Sequence, residues 1–136
     1  MAQIDHSIAL ASLQRAPFAA MLELRIESAD NGVAVARLPM RSELLNDGGA
    51  SAPVHGGAIA SLADFAACAA VWSLAETRRS ATIAMTVNYA APAVRTSLVA
   101  RATVRRAGKR VATLTVEIRD DSGALVADAL VTYKIA

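Results

Sequence analysis

Between Val54 and Glu76 the chain reads VHGGAIASLADFAACAAVWSLA, and Asp64 is the only formally charged side chain in that stretch. A segment so long and so apolar on every side reads as a buried helix, around which the rest of a small domain has to be built. A carboxylate near its middle loses hydration and needs compensation. The opening pair Gly56-Gly57 leaves backbone N–H groups unsatisfied at the positive end of a helix dipole. A desolvated acid and a bare helix N-terminus are the two halves of an acyl-transfer site: a base or nucleophile, and a donor for the developing oxyanion.

The elements on either side supply what wraps the helix. Arg78 and Arg79 suit a helix C-terminus, and beyond them the apolar period changes from 3.6 to 2. Residues 81–91 (ATIAMTVNYAA) read as one strand, and residues 97–106 as a second with Leu98, Ala100, Ala102 and Val104 on one face. A turn at Ala107-Gly108-Lys109 leads to a third strand, where Ala112, Leu114, Val116 and Ile118 alternate with Thr113, Thr115, Glu117 and Arg119. Asp120-Asp121-Ser122-Gly123 turns the chain into a last strand over 124–135. Upstream, LELRIESAD and VAVARLPM flank Asn31-Gly32, a strong hairpin signal. Residues 7–15 form a short helix that ends before Pro17. The 13 residues RSELLNDGGASAP between hairpin and long helix are rich in turn formers, and loops of that length are often functional. The whole is an α+β chain, an antiparallel sheet with one long apolar helix packed along it.

Composition narrows the class. At 136 residues the chain is one domain, 1–136, with 1–17 as an N-terminal helical segment. Hydrophobic residues make up 54% and charged residues 19%, an apolar surplus that favours burial in an oligomer. A net charge of +2 and no interleaving of basic and aromatic residues speak against a nucleic-acid partner. The single cysteine excludes an internal disulfide and fits a reducing compartment. The N-terminus lacks a basic region followed by a long apolar core, so the expected location is cytoplasmic. The Val54–Ala75 run is long enough to span a bilayer, but its alanine content, its His-Gly-Gly opening and its central acid favour a buried helix and no membrane partner. With His6, His55 and Cys68 as the only nitrogen or sulfur ligands, no metal site is expected. Nucleotide-binding glycine motifs and a Gly-x-Ser-x-Gly elbow are absent.

The element order, together with His55-Gly56-Gly57 and Asp64 separated from the glycine pair by six residues, resembles the hotdog fold and, within it, the PaaI-type acyl-CoA thioesterases. TIAMTVNYAAPA looks like the family strand after the helix, and VRRAGKRVATLTVEIRDDSGALVADALVTY resembles its closing strands. The resemblance covers roughly residues 18–136. It implies Asp64 as general base or nucleophile, and Gly56 as the N–H that polarises the thioester carbonyl. It further implies that His55 shapes that hole and that Thr82 orients the attacking water. Asn46 is the candidate for the family's loop asparagine, although at nine residues before His55 it lies further out than the family spacing. Where relatives often carry another acid this chain has Ala84, which contributes nothing. The implied partner is an acyl-CoA substrate, with no cofactor.

Each candidate also has a plainer reading. Asp64 could be a structural acid, His55 a helix cap, Thr82 an ordinary strand threonine, and Gly56 and Gly57 packing glycines. Ser61 and Cys68 share a face with Asp64 at spacings of three and four. Ser61 is expected to hydrogen-bond the carboxylate, and Cys68 to be a small core residue, since no base accompanies it. Phe65 and Trp72 read as core or interface aromatics. Arg105, Arg106, Lys109 and Arg110 form either a solvated turn or a site for coenzyme A phosphates, with Arg106 and Arg110 the strongest contacts.

Gly56 and Asp64 are eight residues apart, which places them roughly 12 Å apart along a helix axis. Oxyanion donor and base must both reach one thioester group within about 3–4 Å, so one helix cannot serve one substrate with both. Two antiparallel helices across a twofold axis can, and the expectation is a homodimer, assembling further as a dimer of dimers into a homotetramer. The resulting reading is an acyl-CoA thioesterase. Its alternatives are a hotdog acyl-thioester hydratase or dehydratase and a non-catalytic acyl-CoA-binding protein.

Overall fold

The computed structural model describes residues 7–74 and 80–136. Two short helices, α1 (Ser7–Gln14) and α2 (Pro17–Leu22), precede a hairpin of β1 (Arg25–Asp30) and β2 (Val33–Leu38). A 3-10 turn at Ser42–Leu44 and a loop lead into the long helix α3 (Gly56–Leu74), followed by β3 (Ala81–Tyr89), β4 (Leu98–Ala107), β5 (Val111–Arg119) and β6 (Leu125–Lys134). The six strands form one antiparallel sheet in the order β1-β2-β4-β5-β6-β3. This sheet wrapped around a single long helix is the hotdog architecture that the sequence resembles.

Local chemistry explains most boundaries. Asn31 and Gly32 both have positive φ, 49° and 81°, as a two-residue hairpin turn whose twist matches its strands requires. The Gly32 N–H donates to Ser73 Oγ at 3.0 Å, which in turn donates to the Ala70 carbonyl at 2.7 Å, tying the hairpin tip to the end of α3. The first strand was expected from Leu22 but begins at Arg25. Pro17 opens α2 at its first turn, where a missing N–H costs nothing. Glu23 closes that helix in the left-handed region, so the chain extends only after it. Gln14 fastens α1 to β1: its amide donates to the Leu24 carbonyl and its carbonyl accepts the Ile26 N–H at 2.6 Å.

The core is an alanine-lined contact between helix and sheet. Ala63, Ala66, Ala67, Ala69 and Ala70 of α3 are fully excluded from solvent, as are Ala34, Ala36, Ala100 and Ala102 on β2 and β4. Small side chains on both surfaces let backbones approach closely, and α3 packs chiefly across these two strands. The period-2 reading of the later strands holds, with Ala112, Leu114, Val116 and Ile118 all buried.

The expectation that α3 is buried on every side needs correction. Gly57, Ser61, Asp64, Cys68 and Trp72 form a partly open stripe along it, because the sheet covers only one side of the cylinder and β3 and β6 touch it less. Gly56–Leu74 is long and apolar enough to cross a bilayer, yet it packs here as the core of the sheet. Its expected end near Arg78-Arg79 lies outside the described residues.

Candidate active site

The N-terminus of α3 is built by His55. Its carbonyl accepts the N–H groups of Ala58 and Ile59, and its imidazole Nδ1 accepts the Gly57 N–H at 2.8 Å. The histidine is therefore a helix cap, with Nδ1 acting as an acceptor in this geometry. Gly57 is a glycine because a Cβ there would stand 3.0 Å from that imidazole nitrogen. Once Gly57 is satisfied, Gly56 is the remaining donor: among the described residues its N–H meets no acceptor. A Cβ on Gly56 would press on the ring of Tyr89 at 3.2 Å, and the Tyr89 hydroxyl donates to the Gly56 carbonyl at 3.0 Å. The peptide that follows the candidate oxyanion donor is thus held at both ends, its N–H by His55 and its carbonyl by Tyr89.

Asn46 reaches the same place despite its long spacing. An antiparallel bridge joins Leu45 to Val54, and the Asn46 N–H donates to the Pro53 carbonyl at 3.0 Å. The additional residues close on themselves as a loop, so Asn46 returns to the start of α3. Asn46, Gly56, Ile59 and Tyr89 help line one cavity of about 280 Å³.

Asp64 lies in the middle of α3 on the open stripe and lines a second cavity of about 310 Å³ with Ser61, Phe65, Cys68, Thr82 and Tyr133, capped by Leu13 and Phe18 from the N-terminal segment. Thr82, on the inward face of β3 opposite Tyr133, donates to Asp64 Oδ1 at 2.5 Å. It orients the carboxylate beside the cavity. Ser61 does not contact the acid, contrary to expectation. Its hydroxyl donates to the Gly57 carbonyl one turn back at 2.7 Å, a local partner that competes successfully with the carboxylate three residues on.

The floor of the second cavity is a thiol–phenol pair. Tyr133 Oη donates to Cys68 Sγ at 3.0 Å and lies 3.4 Å from Ser80 Oγ, which also accepts from Trp72 Nε1 at 2.8 Å. Burial pushes the Cys68 thiol up to about 11 against the lowering effect of the Tyr133 hydrogen bond, and the Asp64 charge raises it further. Burial likewise raises the Tyr133 phenol. Cys68 is a protonated packing residue and no nucleophile. Among the described residues, no three His, Cys, Asp or Glu side chains converge as metal ligands.

The structure thus brings Gly56 together with Asn46 and His55, and Asp64 together with Thr82, but it places the two groups in separate cavities of one chain. Arg106 and Arg110 stand exposed at the β4–β5 hairpin and line neither cavity. Tyr89 and Tyr133 escaped the sequence reading. Both follow the period-2 inward pattern of their strands, and that pattern is the only local signal that could have placed them.

The thiol is open to test. With the Cys68 value moved from 9.0 to about 11, thiolate stays scarce until the pH approaches the upper figure, and only thiolate alkylates readily. Iodoacetamide labelling of the folded protein should keep accelerating with pH beyond 9 rather than levelling there. A profile that levels near 9 would contradict the buried, hydrogen-bonded thiol.

A sequence profile of the thioesterase superfamily matches residues 53–127, more than half of the chain. A solved protein from the thioesterase superfamily is 30% identical, with 97% of this chain and 100% of that chain covered and a TM-score of 0.84. The E. coli PaaI protein from the phenylacetic acid degradation operon is 28% identical, over 94% of this chain and 90% of that one, with a TM-score of 0.79. The conserved protein PA5202 from Pseudomonas aeruginosa is also 28% identical, over 92% and 98%, with a TM-score of 0.80. No curated protein matches significantly. The chain therefore belongs to the thioesterase superfamily, as a hotdog protein of the PaaI type whose family chemistry is the hydrolysis of acyl thioesters.

Proposed function

We propose that this chain is a cytoplasmic acyl-CoA thioesterase that works as a homodimer, with each active site assembled from both subunits. The observation that carries the reading is the division along α3. An unpartnered Gly56 N–H with Asn46 lines one cavity, and the Thr82-oriented Asp64 lines another. Two copies with antiparallel α3 helices would bring Gly56 of one copy to Asp64 of the other. Support for such pairing comes from β3, the last strand of the sheet, where Ile83 and Tyr89 are exposed. An edge strand with unpaired backbone groups is a template for a further strand. Two such dimers would pair into the tetramer.

In the proposed reaction Asp64 takes a proton from water as the water oxygen bonds to the thioester carbon, or the carboxylate attacks and water cleaves the resulting anhydride. The Gly56 N–H holds the charge that forms on the carbonyl oxygen, and Asn46 orients the thioester beside it. His55 shapes the hole by occupying Gly57, and Thr82 fixes the acid. Collapse breaks the C–S bond, and coenzyme A leaves as a thiolate that gains a proton. Water is the only co-reactant. The cavity beside Asp64, lined by Ser61 and Phe65 on the same helix, takes the acyl group.

Asp64→Asn should leave the fold intact and lower kcat on the best acyl-CoA of a chain-length panel by about 10²–10⁴, read as release of free thiol. Activity within a few-fold of wild type would remove Asp64 from the chemistry. No thiol release by the wild type from any member of the panel would instead favour a non-catalytic acyl-CoA-binding protein. The exposed Arg106 and Arg110 are proposed to hold coenzyme A phosphates. Replacing both with Ala should raise KM for acyl-CoA far more than for a short thioester lacking the nucleotide, since phosphate contacts are charge-assisted and remote from the reacting carbon. Equal effects on both substrates would return the hairpin to a solvated turn.

A further inference from the structure

Between Asn46 and the start of α3 the chain makes an excursion with Gly48-Gly49 at its tip, where the Gly49 N–H donates to Asp47 Oδ1 at 2.7 Å and the Gly49 carbonyl accepts the Ala52 N–H at 3.2 Å. A Cβ added at Gly48 would meet nothing within 4 Å, and a glycine pair has more backbone freedom to lose than any other. The base of the excursion is fixed by backbone hydrogen bonds, from Asn46 to Pro53 at 3.0 Å and from His55 to Leu44 at 2.7 Å. Its returning side is sewn to the β3–β4 connection: the Val54 N–H donates to the Ala93 carbonyl at 2.8 Å, and Pro53 bridges to Val94. Arg95 then closes the tip. Its Nε and Nη2 donate to the Gly49 carbonyl at 3.1 and 2.9 Å, Nη2 also reaches the Gly48 carbonyl at 3.5 Å, and its own N–H donates to the Ala52 carbonyl at 3.3 Å.

Arg95 makes these contacts from a φ of 42°, a left-handed conformation that a residue with a Cβ adopts only when its surroundings impose it. The planar fork of a guanidinium suits two neighbouring carbonyls, which the point charge of a lysine does not reproduce. No part of the proposed chemistry uses Arg95, yet it fastens the segment that carries Asn46 into the cavity of the Gly56 N–H.

We propose that Arg95 is a positioning residue of the Gly56 half-site: its guanidinium clasps the tip of the 46–53 loop and so holds Asn46 in register with the oxyanion donor. The consequence for catalysis rests on the thioesterase reading above, whereas the clasp itself does not. An amide displaced by about 1 Å at a reacting group can cost up to about 100-fold in rate. Loss of the clasp is therefore felt in kcat and hardly in KM.

Two variants test this, read by amide hydrogen exchange and by steady-state kinetics on an acyl-CoA that the wild type cleaves. Arg95→Asn keeps a residue that tolerates the left-handed backbone and removes the guanidinium. Arg95→Lys keeps a charge without the fork. In Arg95→Asn, exchange over residues 46–53 should quicken while β4, β5 and β6 stay protected, and kcat should fall roughly 10- to 100-fold with KM within about twofold. Arg95→Lys should lie between the two proteins in both readouts. Unchanged exchange would overturn the clasp, and quicker exchange with unchanged kcat would overturn the positioning role. A loss confined to KM would make Arg95 a direct substrate contact, and would equally overturn it. If the wild type cleaves no thioester the function proposed above fails, and the exchange measurement alone decides the clasp.

Discussion

An α-helix is rigid over two turns, and this rigidity governs everything functional in the molecule. Gly56 is the first residue of α3 and Asp64 the ninth, so the N–H at the helix start that meets no acceptor among the described residues and the one acid of the helix are roughly 12 Å apart along the axis. No side-chain movement closes that distance, because the donor is a backbone group. The two cavities seen in the single chain, one at Gly56 and one at Asp64, express the same constraint in space. Either the two groups do unrelated things, or a second helix supplies the missing half of each site.

On the proposed reading a second helix does so, and both halves are prepared for it. At the helix start the imidazole of His55 takes up the Gly57 N–H and the Tyr89 hydroxyl takes up the Gly56 carbonyl, leaving the Gly56 N–H as the unsatisfied group. The glycine pair makes this possible, since a Cβ at either position would run into one of those two rings. At Asp64 the hydroxyl of Thr82 fixes one carboxylate oxygen. The thiol and phenol behind it stay protonated, raised chiefly by burial, and place no competing negative charge in the cavity.

What the sequence made legible was local or periodic. The buried faces of β4 and β5, the Asn31-Gly32 turn and the apolar helix with its single acid all follow from spacing. The helix start followed from the glycine pair. Contacts that depend on topology were hidden. The meander of the last strands was visible, but the placement of β3 beside β6, which turns Thr82 toward Asp64 and Tyr89 toward Gly56, comes from a crossover that no local pattern encodes. Thr82 entered only through family resemblance, while Tyr89, Tyr133 and Arg95 were missed. Ser61 shows the opposite failure: its helical spacing to Asp64 was read correctly, but a carbonyl one turn back captured its hydroxyl. The open stripe on α3 was misjudged because hydrophobicity alone does not reveal which side a six-stranded sheet leaves uncovered.

The shared site is tested most directly by mixing two inactive chains. Asp64→Ala removes the acid and Gly56→Pro removes the oxyanion donor, with proline tolerated at a first helical position. Because a Cβ at Gly56 presses on Tyr89, the second variant must first be shown to fold and dimerise. Each variant alone should be inactive. Refolded or expressed together, about half of the dimers are mixed if pairing is random, and each mixed dimer carries one site with both lesions and one with neither. Thioesterase activity should then return to roughly a quarter of the wild-type value. Mixed dimers that form and yet recover no activity would contradict a site built from two chains.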